Sequence, residues 1–499
     1  MVFSLYHNLQ AQTGVYTLNG ETASQANQIY DATLTDQSAV YVLNSGQLTL
    51  TNCIMIKTGD ASNVNNSSQY GINAGILATS AGQVTIIGGS VTTNASGANG
   101  VFAQGTGSSV SMSDGFIDAT GSGAHGVDAT YGGAIILSNV NITTNGSNSS
   151  ALATDFGGGN VTVTGGTIIS ESTEAGSHSA GIYSTGIITV TGATVSSYGD
   201  CGGVIDGANS IILTNTSLTG ALQGIKIWKT APMSGPATVT ITGGSLTATS
   251  GDGFYITGET GNTATANITM SNGATISAGT GNIMNVLSSS AGIFTADGET
   301  LSGNFTADAT STLSMILQNN TNLTGNAQNA GIAIDGTSSW TLTGNSVMTT
   351  VIDPSGISGF TVTNIIGNGY NIHYDSSLTG NQYLGGLTYS LVNGGVLTPE
   401  SAAGVKYLQA GKSPVSLDQN YPNPVSSTTM FNFNLLQKAF VSLKVYDQKG
   451  KEVSVLVGSD QETGKHEILW DASALANGIY FYRLISEGFV QTRKMIIQK

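Results

Sequence analysis

Short runs in which apolar and polar residues alternate recur along most of the chain. They read Leu48-Thr-Leu-Thr51, Val84-Thr-Ile-Ile87, Val110-Ser-Met-Ser113, Ile135-Ile-Leu-Ser138 and Val161-Thr-Val-Thr164, and continue from Ile188, Ile211, Val239 and Ile268. From Val84 the successive starts are 26, 25, 26, 27, 23, 28 and 29 residues apart. Alternation with a period of two sends neighbouring side chains to opposite faces of a strand, and β-branched Val, Ile and Thr suit such a half-buried pleat. A turn such as Gly88-Gly89, Gly165-Gly166 or Gly243-Gly244 follows most runs and leads into a second short strand. A third strand, usually opened by glycine, precedes each run: Gly75-Ile-Leu-Ala, Gly100-Val-Phe-Ala, Gly126-Val-Asp-Ala, Gly181-Ile-Tyr-Ser, Gly224-Ile-Lys-Ile and Gly253-Phe-Tyr-Ile. Three strands per repeat of about 26 residues make one coil of a solenoid, whose apolar side is buried only when coils stack. The pattern predicts an all-β chain. A right-handed parallel β-helix of about 14 coils spans residues 41–400, behind an N-terminal cap over residues 1–40.

Composition agrees with strands. Glycine numbers 68 of 499 residues, and charged residues make up 9% of the chain, far below the ~25% of an average soluble domain. No apolar run reaches the ~18–20 residues of a helical bilayer span, so no integral helical membrane protein is expected. Charge is unevenly placed. Residues 1–411 hold four bases and 21 acids, a formal −17, whereas residues 412–499 hold ten bases and eight acids, +2. The break marks a domain boundary, and a body without a basic stripe makes nucleic acid an unsuitable partner. Two cysteines, Cys53 and Cys201, lie about six coils apart, beyond the ~7 Å reach of a disulfide. They are expected to be free and buried.

Residues 401–415, rich in Ala, Gly and Ser, read as a linker, and residues 416–499 as a separate module. Short strands separated by turn signals at Asp447–Gly450 and Asn477-Gly478 predict a small Ig-like antiparallel β-sandwich. The run Asn420-Tyr421-Pro422-Asn423-Pro424 is followed by Ser427-Thr-Thr429, Val441-Ser-Leu-Lys-Val-Tyr-Asp447, Gly478-Ile-Tyr480-Phe-Tyr-Arg483 and Lys494-Met-Ile-Ile497. In that order these motifs resemble the type A C-terminal sorting domain of the Bacteroidetes type IX secretion system. Val425 departs from the family, where an aromatic commonly follows the second proline. The resemblance implies Sec export, the type IX machinery as partner, and a secreted or surface-attached protein outside the outer membrane. It also implies that the tail is usually removed. The start of the chain has two readings: Ala11-Gln12 resembles the end of many Bacteroidetes signal peptides, which would make residues 1–12 a signal-peptide remnant, and the other reading is an ordinary cap.

The body resembles secreted adhesin-like and pectin-lyase-like β-helices at the level of fold, and fold does not fix function. Lyases of this class want an arginine or lysine base and a carboxylate cluster for calcium. The body has no arginine, and its mid-chain lysines are Lys226 and Lys229. The Asp-Asp, Asn-x-Asp, Gly-His-Gly and Arg-x-Lys motifs of polygalacturonase-like hydrolases are missing. The weak catalytic candidates are Asp128, Asp155 and Asp206, with His125 and His178 at neighbouring turns. Three coils between Asp128 and Asp206 amount to about 14 Å, beyond the ~5–9.5 Å of a glycosidase pair, and the register of Asp155 is open. Turn carboxylates that cap backbone N–H groups are the blander reading. No metal site and no cofactor is expected, and an enzyme is not the favoured reading.

A binding face is favoured instead. The third residue of the glycine-led strand reads Leu77, Phe102, Asp128, Leu152, Tyr183, Ile205, Lys226 and Tyr255, an apolar and aromatic stripe suited to sugar rings or to a protein surface. Phe102, Tyr183, Trp228 and Tyr255 are the expected ligand-binding residues. A covering loop would hide the stripe, and a one-residue slip would turn it inward. The outward threonines Thr162, Thr164, Thr189, Thr191, Thr240 and Thr242 resemble arrays that order water, but Ile87, Ile136, Ile212, Ser111 and Ser113 interrupt them, which disfavours that role. The sequence thus predicts a non-catalytic, adhesin-like solenoid that presents a repetitive face to a glycan or another cell surface. The alternative is a polysaccharide lyase or glycoside hydrolase.

Overall fold

A computed structural model describes residues 12–230, 234–259, 261–400, 415–435, 438–448, 451–486 and 489–499. The chain divides into two compact units. One comprises residues 1–356, 364–373 and 392–395, and the other residues 357–363, 374–391 and 396–499.

The first unit is a parallel β-solenoid, and the body as a whole makes about 15 turns. Each strand pairs in parallel with its counterpart one turn along. Among the described residues ten turns carry the short third strand, which forms a separate ten-stranded sheet from Ile29–Ala32 to Thr275–Ala278. The stack closes its core through ladders of aliphatic residues in strict register. One such column runs Leu50, Ile86, Met112, Leu137, Val163, Val190, Leu213, Ile241 and Met270, all of them buried. Each such side chain contributes roughly 1.5–3 kcal/mol by leaving water. Cys53 and Cys201 are free and buried.

The Gly-Gly turns are required by geometry. Gly166 has φ +87°, and a Cβ there would lie 2.1 Å from the Val140 carbonyl oxygen of the turn below. Only glycine lets successive turns approach so closely at a positive φ.

The solenoid starts earlier than residue 41. Thr13–Asn19, Thr22–Ala26 and Ile29–Ala32 already form a turn, pairing in parallel with Gln37–Leu43, Gln47–Thr51 and Ile54–Lys57. Residues 12–40 are therefore a working coil, since their alternation continues the ladder. Residues 1–11, on which the reading of a signal-peptide remnant chiefly rests, lie outside those described, as do residues 401–414 of the expected linker.

Among the described residues one α-helix, α1 (Val64–Tyr70), interrupts the repeat. Its N-cap Asn63 accepts a hydrogen bond from the Asn66 N–H at 3.0 Å, and Gly71 closes it at φ +68°. The second unit contains two small antiparallel sheets. Val415–Leu417, Thr428–Leu435 and Gly464–Asp471 form one, and Glu452–Gln461, Ala439–Tyr446, Gly478–Ser486 and Phe489–Ile497 the other. Phe431, Phe433, Val441, Leu443, Tyr482 and Met495 are among the buried residues packed between them.

Candidate functional site

The ladder of glycine-led strands decides which side chains share a column. Leu77, Phe102, Asp128, Ala153, Tyr183, Val204, Lys226 and Tyr255 stand in one. Leu152 and Ile205, expected to point outward, are instead wholly buried. At those two turns the strand is offset by one residue, and a one-residue offset exchanges the faces. The column is also covered at one end. Leu77 and Phe102 are buried with Ala74 against Tyr41, under the segment that carries α1, where a Cβ on Gly71 would sit 2.5 Å from the Phe102 ring. Phe102, an expected ligand-binding residue, is thus 0% exposed and out of reach of a ligand, because an insertion the strand pattern did not signal lies over it.

Where that cover ends, a cleft of about 480 Å³ opens on the middle turns. Val64, Asn65 and Ser68 of the α1 segment form one wall. His125, Asn148, His178 and Asp200 come from the turns before the glycine-led strands, and Asp155, Phe156, Tyr183, Lys226 and Trp228 from the strands themselves or their ends. Two of the four expected ligand-binding residues, Tyr183 and Trp228, therefore meet in one cleft. Tyr255 follows Lys226 one rung further on and lies beyond the cleft lining.

His125 is fixed by its neighbours. Its backbone N–H donates to Asn99 Oδ1 at 2.7 Å, and its ring Nδ1 accepts from the Ser150 N–H at 2.9 Å. Burial pushes the imidazole down to about 4, so the ring is neutral and its single proton sits on Nε2. Asp128 is completely buried, and neither carboxyl oxygen meets a hydrogen-bond partner among the described residues. Desolvation first, and then the charge of Asp155, hold its pKa well above the usual carboxylate range.

Asp155 differs from both. One of its oxygens accepts from the Phe156 N–H at 3.0 Å. Burial raises its pKa to about 6, opposed by that hydrogen bond and assisted by Asp206. Asp206 accepts from the Thr230 N–H at 3.0 Å and from the Thr230 hydroxyl at 2.5 Å. The Tyr183 phenol is pushed above its usual range by burial first, and then by the charges of Asp155, Asp206 and Asp128.

The three weak catalytic candidates thus occupy two columns. Asp128 stands in the Tyr183 column. Asp155 and Asp206 stand in the adjacent one, two turns apart, when the pairings of Thr154 with Ser184 and of Ser184 with Ile205 are continued by one residue. Trp228 pairs with Asp206 on the next rung. The Lys226 ammonium lies 3.9 Å from the Trp228 ring centroid, and Trp228 Nε1 is buried without a partner among the described residues.

His125, Asp128 and Asp155 bring potential ligand atoms within 4.8 Å of one another. The tautomer argues against a metal ion there. With Nδ1 engaged as an acceptor, Nε2 carries the proton and has no lone pair to give. What the trio offers is an N–H donor beside two carboxyls of raised pKa.

Asp200, which sequence reasoning did not single out, shows the bland role of a turn carboxylate. Its oxygens accept from the Ser179 N–H at 3.0 Å and the Cys201 N–H at 2.7 Å. The threonine array on the other long face is real in register, with Thr164, Thr191, Thr214 and Thr242 on consecutive rungs. The face also exposes Ile87, Ile136 and Ile187.

Residues 419–498 match the family described as the secretion-system C-terminal sorting domain. The motif residues lie inside this module, where Asn420 is buried and donates from its side chain to the Pro422 carbonyl at 3.1 Å and to Thr429 Oγ1 at 3.0 Å. No curated protein and no solved structure matches the chain.

Proposed function

We propose, for a chain whose C-terminal module is a type IX secretion-system sorting domain and which is therefore a secreted or cell-surface protein, that the β-solenoid binds carbohydrate in its lateral cleft. The observation that carries this reading is the register that sets Tyr183 and Trp228 around Asp155 in one concave site. Aromatic rings beside a few convergent polar groups are the usual make-up of a small-molecule cleft. A sugar has apolar ring faces for the aromatics and hydroxyls for Asp155, Lys226 and the His125 Nε2–H. Binding is concentrated in this cleft and not spread along the rod, because the stripe beyond it is covered at Leu77 and Phe102.

A glycan array probed with the full chain, followed by titration of the best hit, tests the reading. Trp228→Ala and Tyr183→Ala should each weaken binding about tenfold or more, a loss of about 1.4 kcal/mol. Thr164→Ala on the other face should leave it unchanged. Equal binding by all three variants would refute a site in the cleft.

A further inference from the structure

We infer that the second unit binds an oxyanion, a carboxylate or phosphate group, in a cavity where Arg483 supplies the opposite charge. The inference does not depend on the cleft of the solenoid. Arg483 is 2% exposed, yet no carboxylate pairs with it among the described residues. The ion pairs of this unit join Lys438 to Glu462, Lys444 to Glu452 and Lys465 to Glu467. A guanidinium taken out of water without a counter-ion is costly.

Aromatic rings hold the side chain in place. Its guanidinium carbon lies 3.6 Å from the Phe360 ring centroid and 5.6 Å from that of Tyr446. The two rings stand edge to face, 6.3 Å apart. Such rings attract a cation over their faces but do not neutralise it. The Arg483 Nε–H donates to Thr492 Oγ1 at 3.2 Å, which uses one of five N–H donors. No hydrogen bond among the described residues takes up the four on the two Nη groups. Burial lowers the pKa of the group, and what opposes this is the phenols of Tyr446 and Tyr389.

Arg483 lines a cavity of about 660 Å³. Thr361, Thr388, Ser390 and Thr492 add hydroxyls to the lining, and Asp447 adds its carboxylate. Asp447 Oδ1 accepts from the Lys451 N–H at 3.0 Å and so closes a turn. All of these residues belong to the second unit. The planar fork of an arginine meets two oxygens of a carboxylate or phosphate at once, and the hydroxyls can donate to the oxygens that remain. A neutral sugar brings no charge to Arg483, so this ligand class is distinct from that of the cleft. Arg483 ends the run Gly478-Ile-Tyr480-Phe-Tyr-Arg483, which places the site at the sorting motif.

The test uses the chain's two arginines, Arg483 and Arg493. The Arg493 Nε–H already donates to the Leu417 carbonyl at 2.8 Å. Isotope-labelled arginine in the full chain therefore gives one Nε–H signal at the site and one as an internal control. Titration with sodium phosphate, and separately with sodium acetate, at fixed ionic strength should move the Arg483 signal to saturation and leave that of Arg493 in place. Saturation by one anion and not the other assigns the group as phosphate or carboxylate. Arg483→Lys keeps the charge, loses the fork and should weaken binding about tenfold, read from the line width of the anion's own resonance. Asp447→Asn keeps the oxygen that closes the turn and should tighten binding several-fold, because a like charge leaves the lining. An Arg483 signal that moves with neither anion, or as far with chloride, would overturn the inference. Unchanged affinity in both variants would overturn it as well.

Discussion

Asp206 and Trp228 stand on neighbouring rungs of one column of the solenoid, and the charge of Asp206 adds to the burial that raises the Asp155 pKa to about 6. That relationship sets a pH dependence of binding. Asp155 can donate a hydrogen bond to a sugar hydroxyl only while protonated, so glycan affinity is expected to change as pH rises through about 6. Asp155→Asn should lack that change. Affinity of the parent that stays flat from pH 5 to pH 8 would contradict a contact between Asp155 and the sugar.

The same group bears on stability. Its pKa is higher in the folded chain than the ordinary 3.8, so the unfolded chain binds fewer protons between pH 4 and pH 6 and folding loses stability as pH rises through that window. The shift amounts to about 3 kcal/mol at most. His125 works in the opposite direction. Its pKa is depressed from 6.5 to about 4, so its contribution is present above pH 6.5 and is lost as pH falls toward 4. Urea unfolding at several pH values should therefore show that Asp155→Asn gains stability relative to the parent at pH 7 and gains nothing at pH 3.5. His125→Gln should change the slope in the reverse sense. Identical pH profiles for the parent and Asp155→Asn would show that the carboxyl is not perturbed.

Gly166 tests the stacking of the turns. A methyl group there meets the Val140 carbonyl oxygen at 2.1 Å on a residue with φ +87°. Backbone strain of this kind costs on the order of 1–3 kcal/mol before the clash is counted. Gly166→Ala should lower the urea midpoint clearly. Gly192→Ala, at a turn with φ +64° and no atom within 4 Å, should cost less. Equal losses would mean that contact between turns is not what requires glycine at residue 166.

In the sorting module, the Tyr482 hydroxyl accepts from the buried Asn420 N–H at 2.7 Å and donates to the Asp418 carbonyl at 2.9 Å. Tyr482→Phe strands both groups, at about 1–3 kcal/mol, beside the motif Tyr421-Pro422-Asn423-Pro424. Protease shaving of intact cells should show less body on the surface for this variant, and deletion of residues 416–499 should leave the body in the periplasm. Normal surface display of the deletion would refute export through this module.

Much of this was legible in the sequence because a solenoid repeats its physics. Val-Thr-Ile-Thr runs and Gly-Gly turns announce an inward column and a close approach at every turn, and the motifs from Asn420 to Lys494 announce the second module. The cleft was only half legible. Tyr183, Trp228 and the three aspartates were visible as residue types, but a column depends on register to the single residue. The turn carrying Leu152, led by Ala151 where glycine usually stands, hid the alignment of Asp155 with Asp206. The helix α1 left one trace: the spacing from Leu48 to Val84 is 36 residues, about ten more than the repeat. Seven residues without apolar periodicity, Val64–Tyr70, gave no sign that they fold over Phe102 and wall the cleft.

Diffraction from crystals of Asp155→Asn soaked with the best array hit tests the central claim most directly. The account predicts sugar density packed against Trp228 and Tyr183, with a sugar oxygen within hydrogen-bond distance of residue 155. Density on the threonine face, or an empty cleft in crystals that have bound the sugar elsewhere, would contradict it.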